Sequence, residues 1–254
     1  MTEKISYFEF QAEIGATKHI GGIEATDRLA ELCRIKKESR VLEVGCGVGL
    51  TSAYLADKFG CRVTGIDISR GMIEKAKETA GNEGVYDKTE FMVADAQELP
   101  FENESFDAVI LESVMAFIPD RKKAMKEFIR VLRPGGYVGI TEAAWIKEPP
   151  EEYKKKMNEF VEGNILDPEG WKSLFMDAGL EDITAETHEI DMKAELWNGI
   201  RRWSIIEYLK VQYRFWKGIF TKPTYRRLIA DSLKLPLGMI RYWGYGVYSG
   251  RKKS

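Results

Sequence analysis

Short apolar runs alternate with amphipathic stretches along most of this chain. The first run, about Arg40–Glu43, carries Val41 and Leu42 and predicts a buried strand. It stops at Gly45, Gly47 and Gly49, and Leu50–Phe59 then reads as a helix. Further strands are predicted at Arg62–Asp67, Thr89–Val93, Phe106–Leu111 and Tyr137–Thr141. Glu181–Ile190 and Tyr242–Ser249 complete a set of seven. Ser69–Ala80 reads as a helix with Ser69 as its N-cap. Asp120–Leu132 is amphipathic and meets a stop at Pro134-Gly135-Gly136, and Pro168–Ala178 is a third helix of this kind. Residues 1–38 read as helical, with Ala25, Leu29 and Leu32 on one side of a helix at Thr26–Cys33. Strands alternating with helices predict an α/β fold with a doubly wound, mostly parallel sheet. In such sheets ligands sit at the carboxyl ends of the strands, where Gly45, Asp67, Asp95 and Glu112 all fall.

The pattern changes after the fifth strand. Residues 145–165 are charged and read as helical, and residues 192–240 form a helical insertion before the last strand. The expected organisation is one domain over 1–254. An N-terminal helical cap (1–38) precedes a core (39–191), the insertion (192–240) and the last strand with its tail (241–254). The net charge of −2 hides an asymmetry: 14 of the 38 Lys and Arg, but 3 of the 40 Asp and Glu, lie from Lys193 onward. The insertion is also rich in aromatics, among them Trp197, Trp203, Tyr208, Tyr213, Phe215 and Trp216. Glu207, Lys210, Arg214 and Lys217 share one narrow polar stripe, and most of the remaining circumference is apolar. Three readings stay open: a helix packed on the sheet or on a second subunit, giving a homodimer; a lid over a hydrophobic acceptor; or a helix on a membrane surface.

No apolar run is long enough to span a membrane, and Met1–Phe10 lacks a signal-peptide core. Cys33, Cys46 and Cys61 have neither an even count nor metal-ligand spacing, so a reducing, cytoplasmic setting is expected. With only His19 and His188, no metal site is predicted.

The stretch Val41-Leu-Glu-Val-Gly-Cys-Gly-Val-Gly49 carries the most chemistry. A strand, a glycine turn and a helix N-terminus form a nucleotide-type cradle. Asp67 ends the next strand 22 positions after Gly45, near the spacing of a carboxylate that binds ribose hydroxyls. The glycines run G-x-G-x-G, which disfavours the G-x-G-x-x-G/A fingerprint of nicotinamide enzymes. Glu43, two residues before the turn, is poor company for a pyrophosphate and suits a ligand with positive charge.

Here the chain resembles the class I S-adenosylmethionine-dependent methyltransferases of the small-molecule, UbiE-like branch, which have a Rossmann-like fold. The resemblance covers about residues 15–145. It rests on that glycine motif with Val63-Thr-Gly-Ile-Asp-Ile-Ser69, Val93-Ala-Asp-Ala-Gln-Glu-Leu-Pro-Phe101, Phe106-Asp-Ala-Val-Ile110 and Val131-Leu-Arg-Pro-Gly-Gly-Tyr137. It implies S-adenosylmethionine as cofactor, with Glu43, Gly45 and Gly47 at its methionine end and Asp67 on the ribose. It further implies Ile68 on the adenine face, Asp95 at the adenine amino group and the Ala96 N–H at a ring nitrogen.

Methyl transfer is an in-line displacement on an activated donor, so a base is needed only when the acceptor holds its proton firmly. The candidate bases are His19, Glu112 and Glu142. His19 also reads as a structural loop residue, and Glu112 as a ligand of either cofactor or acceptor. Leu111-Glu-Ser-Val-Met115 at the end of strand four lacks the Asn/Asp-Pro-Pro-Tyr pattern of base-amine methyltransferases. That disfavours base-amine methylation, and the resemblance implies a small or lipid-like acceptor. An RNA or protein acceptor on the basic insertion, or cofactor binding without catalysis, are the competing readings.

Overall fold

The computed structural model describes residues 5, 7–15, 19–190 and 205–254. Helices α1 (Tyr7–Ile14) and α2 (Gly22–Leu32) precede β1 (Arg40–Val44), α3 (Leu50–Phe59), β2 (Arg62–Asp67), α4 (Arg70–Asn82) and β3 (Thr89–Val93). Then follow β4 (Phe106–Glu112), α5 (Arg121–Val131), β5 (Leu132–Trp145), α6 (Glu151–Val161), α7 (Pro168–Asp177) and β6 (Glu181–Glu189). Helices α8 (Ile205–Thr221) and α9 (Pro223–Ser232) lead into β7 (Trp243–Arg251). The seven strands form one sheet in the order β3-β2-β1-β4-β5-β7-β6. It is parallel from β3 to β5, and β7 runs antiparallel to both neighbours. The doubly wound, Rossmann-like α/β expectation holds, with a helical stretch before the last strand.

Val41, Leu42, Glu43 and Val44 are all buried, as expected for a central parallel strand covered on both faces. Helices α2, α3 and α4 cover one face, around Leu29, Val41, Leu55 and Ala76. Helices α5 and α7 cover the other, around Leu42, Val109, Phe128 and Trp171. Ser69 caps α4 by accepting the Met72 N–H, and Asp120 caps α5 by accepting the Lys123 N–H.

Strand β5 departs from expectation. The Pro134-Gly135-Gly136 stop predicts a short strand at Tyr137–Thr141, yet β5 spans 14 residues. Leu132 already pairs with Phe106; the register then shifts, and pairing resumes at Tyr137 with Ala108. Antiparallel β7 holds the far end straight, pairing from Tyr137↔Arg251 to Trp145↔Trp243. Pairing with β7 carries the strand past Thr141 to Trp145, and such a long-range partner leaves no mark on the local pattern.

The insertion packs on α1. Phe10 meets Phe215 and Tyr225 edge to face at 6.2 and 4.8 Å, within a cluster completed by Ile14 and Leu228. The Tyr225 hydroxyl donates to Glu13 at 2.7 Å, and Lys222 pairs with the same carboxylate. Gly218 lets the Tyr225 ring lie against α8; a Cβ there would stand 2.1 Å from the ring. That packing fixes which side of α8 faces inward. Tyr208, Tyr213 and Trp216, which under the lid reading would close over an acceptor, are turned to solvent. Trp197, Trp203, Arg201 and Arg202 lie outside the described residues.

Candidate active site

Following the sheet from β3 to β4, the strand ends present Asp95, Asp67, Glu43 with Gly45, and Glu112 in that spatial order. Strand β1 pairs with β2 on one side and β4 on the other, so the crossovers diverge there and leave a crevice. A cavity of about 430 Å³ fills it. Its wall includes His19, Glu43, Gly45, Gly47, Asp67, Ile68, Asp95, Ala96 and Glu112.

Between β1 and α3 the chain turns through Gly45, Gly47 and Gly49, at φ 71°, 54° and 78°. Any other residue is strained there. At Gly45 the limit is also steric: a Cβ would stand 2.5 Å from a methyl of Val114. The Gly47 N–H donates to Asp67 at 3.0 Å, and the Ser69 N–H donates to its other oxygen at 2.8 Å. Burial raises the Asp67 pKa, and these two N–H groups oppose that shift. Each oxygen keeps a lone pair for a ligand hydroxyl. Asp95 accepts the backbone and side-chain N–H of Gln97 on one oxygen, which shapes the turn around Ala96.

Glu112 is buried and held by two hydroxyls. Thr26 donates to one oxygen at 2.8 Å and Thr51 to the other at 2.7 Å. His19 Nε2 lies 3.4 Å from Glu112, and His19 Nδ1 lies 3.3 Å from the Ile20 carbonyl. The loop bearing His19 is tied to the end of β4, because the Ile20 N–H donates to the Ser113 hydroxyl at 3.2 Å. Ser113 itself sits at φ 58°, a strained backbone for a serine, on the cavity wall. Thr26, Thr51 and Ser113 escaped the sequence reading. Only Thr51, in the first turn after the glycines, carried a positional signal.

Glu142 is not on the cavity wall. It lies inside the sheet on β5, where one oxygen accepts the backbone N–H groups of Val114 and Met115 at 2.7 and 2.5 Å. Burial pushes its pKa up to about 7, against those N–H groups and Arg121. It fixes the Val114 turn, whose methyls pack against Gly45. The Cys46 thiol is pushed far up by burial, with the carboxylates of Glu43 and Asp67 adding to the shift, which makes it a poor nucleophile. His188 stacks on Tyr245 at 4.9 Å on β6, away from the crevice.

The wall has a marked electrostatic bias. Glu43, Asp67, Asp95, Glu112 and Glu162 bring five carboxylates, and no Lys or Arg lines it among the described residues. Apolar side chains, including Leu50, Met72, Val114, Phe117 and Ile118, make up much of the rest. Among the described residues of the wall a phosphate-rich ligand meets five carboxylates, whereas a sulfonium or ammonium is well matched.

Comparison with known proteins places the chain by sequence and by fold. The family described as "Methyltransferase domain" matches residues 42–140. An uncharacterized protein of Haemophilus influenzae is 31% identical over 188 residues, covering 72% of this chain and 75% of that protein. The 27-O-demethylrifamycin SV methyltransferase of Amycolatopsis mediterranei is 33% identical over 165 residues, covering 63% of this chain and 61% of the enzyme. Phosphoethanolamine N-methyltransferase 2 of Haemonchus contortus, solved with S-adenosyl-L-methionine, superposes with a TM-score of 0.74 at 24% identity. That superposition covers 97% of this chain and 57% of the other, so the chain spans under two thirds of both named enzymes.

Proposed function

The chain belongs to the class I, UbiE-like S-adenosylmethionine-dependent methyltransferases, and on that premise we propose that its crevice transfers a methyl group to a neutral or amine-bearing, partly apolar small molecule. The observation behind this reading is a wall that brings together five carboxylates and, among the described residues, no Lys or Arg. S-adenosylmethionine supplies a methyl group already activated on a sulfonium, beside an ammonium, and both charges suit that wall. The cradle fits it as well: the turn through Gly45 and Gly47 runs at positive φ, and the Asp67 carboxylate beside it keeps a lone pair on each oxygen for ligand hydroxyls.

Within this reading Glu43, Gly45 and Gly47 hold the methionine end and Asp67 takes the ribose hydroxyls. Ile68, Asp95 and Ala96 hold the adenine. Glu112 and His19 stand at the acceptor side. The two threonine hydroxyls keep Glu112 in place, Glu112 and the Ile20 carbonyl orient the His19 ring, and the Glu112–His19 pair together receives the proton released by an acceptor hydroxyl or ammonium. The apolar wall excludes water, so the acceptor competes with no solvent nucleophile. Glu142 has no part in the chemistry and acts by holding the Val114 turn. The segments 1–38, 39–191, 192–240 and 241–254 work as one cytoplasmic catalytic unit.

A methyl-labelled donor offered with matched acceptors tests the reading. Label is expected in uncharged or amine-bearing apolar acceptors and little in their phosphorylated counterparts. Label entering RNA or phosphorylated compounds first would contradict it.

A further inference from the structure

Helix α8 has two apolar sides, and among the described residues one of them packs on the fold. Inward, Phe215, Gly218 and Ile219 meet α1 and Tyr225. Outward, Leu209, Tyr213, Trp216 and Phe220 remain 58%, 66%, 54% and 77% exposed. Their spacing of four, three and four residues puts them on one line along the helix. Trp216 and Phe220 stack on each other at 6.4 Å, so the line is a continuous surface. Other exposed large side chains, such as Tyr86 and Met176, stand on separate elements.

Positive charge borders this stripe. Lys210 and Lys217 are exposed along one flank, with the Lys217 ammonium 5.8 Å from the Tyr213 ring centre. At the helix C-terminus the Arg226 guanidinium caps the Ile219 and Phe220 carbonyls. Residues 205–242 hold eight Lys and Arg against Glu207 and Asp231, and Asp231 is paired with Lys234.

We propose that α8 docks the protein on an anionic lipid surface, lying in the plane of the headgroups. Trp and Tyr favour the boundary between headgroup and acyl chain, and lysines alongside reach the anionic groups. Seventeen helical residues present a line of contact, and no helix among the described residues is long and apolar enough to cross a bilayer. A second copy of this chain fits less well. Four side chains on one helix are far fewer than the about 20–30 residues a side of a stable interface. Two such faces would also bring like charges together.

Flotation of the full chain with vesicles is the test, and it needs no methyl acceptor, so it stands apart from the transfer reading. Binding is expected on equimolar phosphatidylcholine and phosphatidylglycerol at low salt, and little on phosphatidylcholine alone. The combined variant Leu209→Ser, Tyr213→Ser, Trp216→Ser, Phe220→Ser should lose binding while keeping its cofactor affinity. Lys210→Glu with Lys217→Glu, which leaves the stripe intact, should weaken binding by about tenfold or more. The idea is overturned if the parent ignores anionic vesicles, or if either variant that still binds cofactor floats as the parent does. It is also overturned if the stripe variant only turns a dimer into a monomer.

Discussion

At the end of β1 the backbone can approach Val114 only because position 45 has no Cβ, and Val114 is held there by Glu142. Two predictions belong to this chain of contacts. Gly45→Val should abolish cofactor binding, since its side chain would occupy the space of the Val114 methyls; a calorimetric titration of the folded variant checks this. Glu142 makes a pH-dependent contribution. Its pKa is about 7 when folded against 4.5 when exposed, so the folded state favours the protonated form. The stability this adds is full below about pH 4.5 and is lost as pH rises through 7, amounting to at most about 3 kcal/mol. Glu142→Gln keeps an oxygen for the Val114 and Met115 N–H groups and cannot ionise. Its denaturant midpoint should therefore fall less than the parent's between pH 5 and 8. Equal slopes would mean that Glu142 is not the group concerned.

Among the elements, the strand-end positions were readable from sequence because their signals are local. Apolar runs end at Gly45, Asp67 and Glu112, and each end falls at one edge of a parallel sheet. The Thr26 and Thr51 hydroxyls were not readable, because Thr26 reaches Glu112 across 86 positions and Thr51 across 61. The facing of α8 was hidden for a similar reason. The helix is apolar around most of its circumference, so its period does not choose a side. Gly218 and Tyr225 choose it, through a contact with a second helix. Gly218→Val should therefore loosen the insertion from α1, costing about 1–3 kcal/mol of local stability. Hydrogen exchange should rise in α1, α8 and α9 and stay unchanged in β1 and β4; protection falling across the whole sheet would show that the insertion is part of the core.

Taken as a whole, the molecule separates two jobs. The sheet edge and the glycine turn carry the proposed cofactor residues, while none of the described residues of α8 or α9 lines the cavity. Replacing residues 196–235 with a short linker should thus leave cofactor affinity within about threefold of the parent, which calorimetry on the trimmed, folded protein would reveal. Calorimetric titration of S-adenosylmethionine into the parent, Asp67→Ala and Glu142→Gln at pH 7 tests the placement of the cofactor most directly. Asp67→Ala loses hydrogen bonds to a charged acceptor, worth about 1.5–3 kcal/mol, so its affinity should fall about 10- to 150-fold. Glu142→Gln, off the cavity wall, should bind within about threefold of the parent. Parent-like affinity in Asp67→Ala, or binding lost in a folded Glu142→Gln, would contradict the assignment.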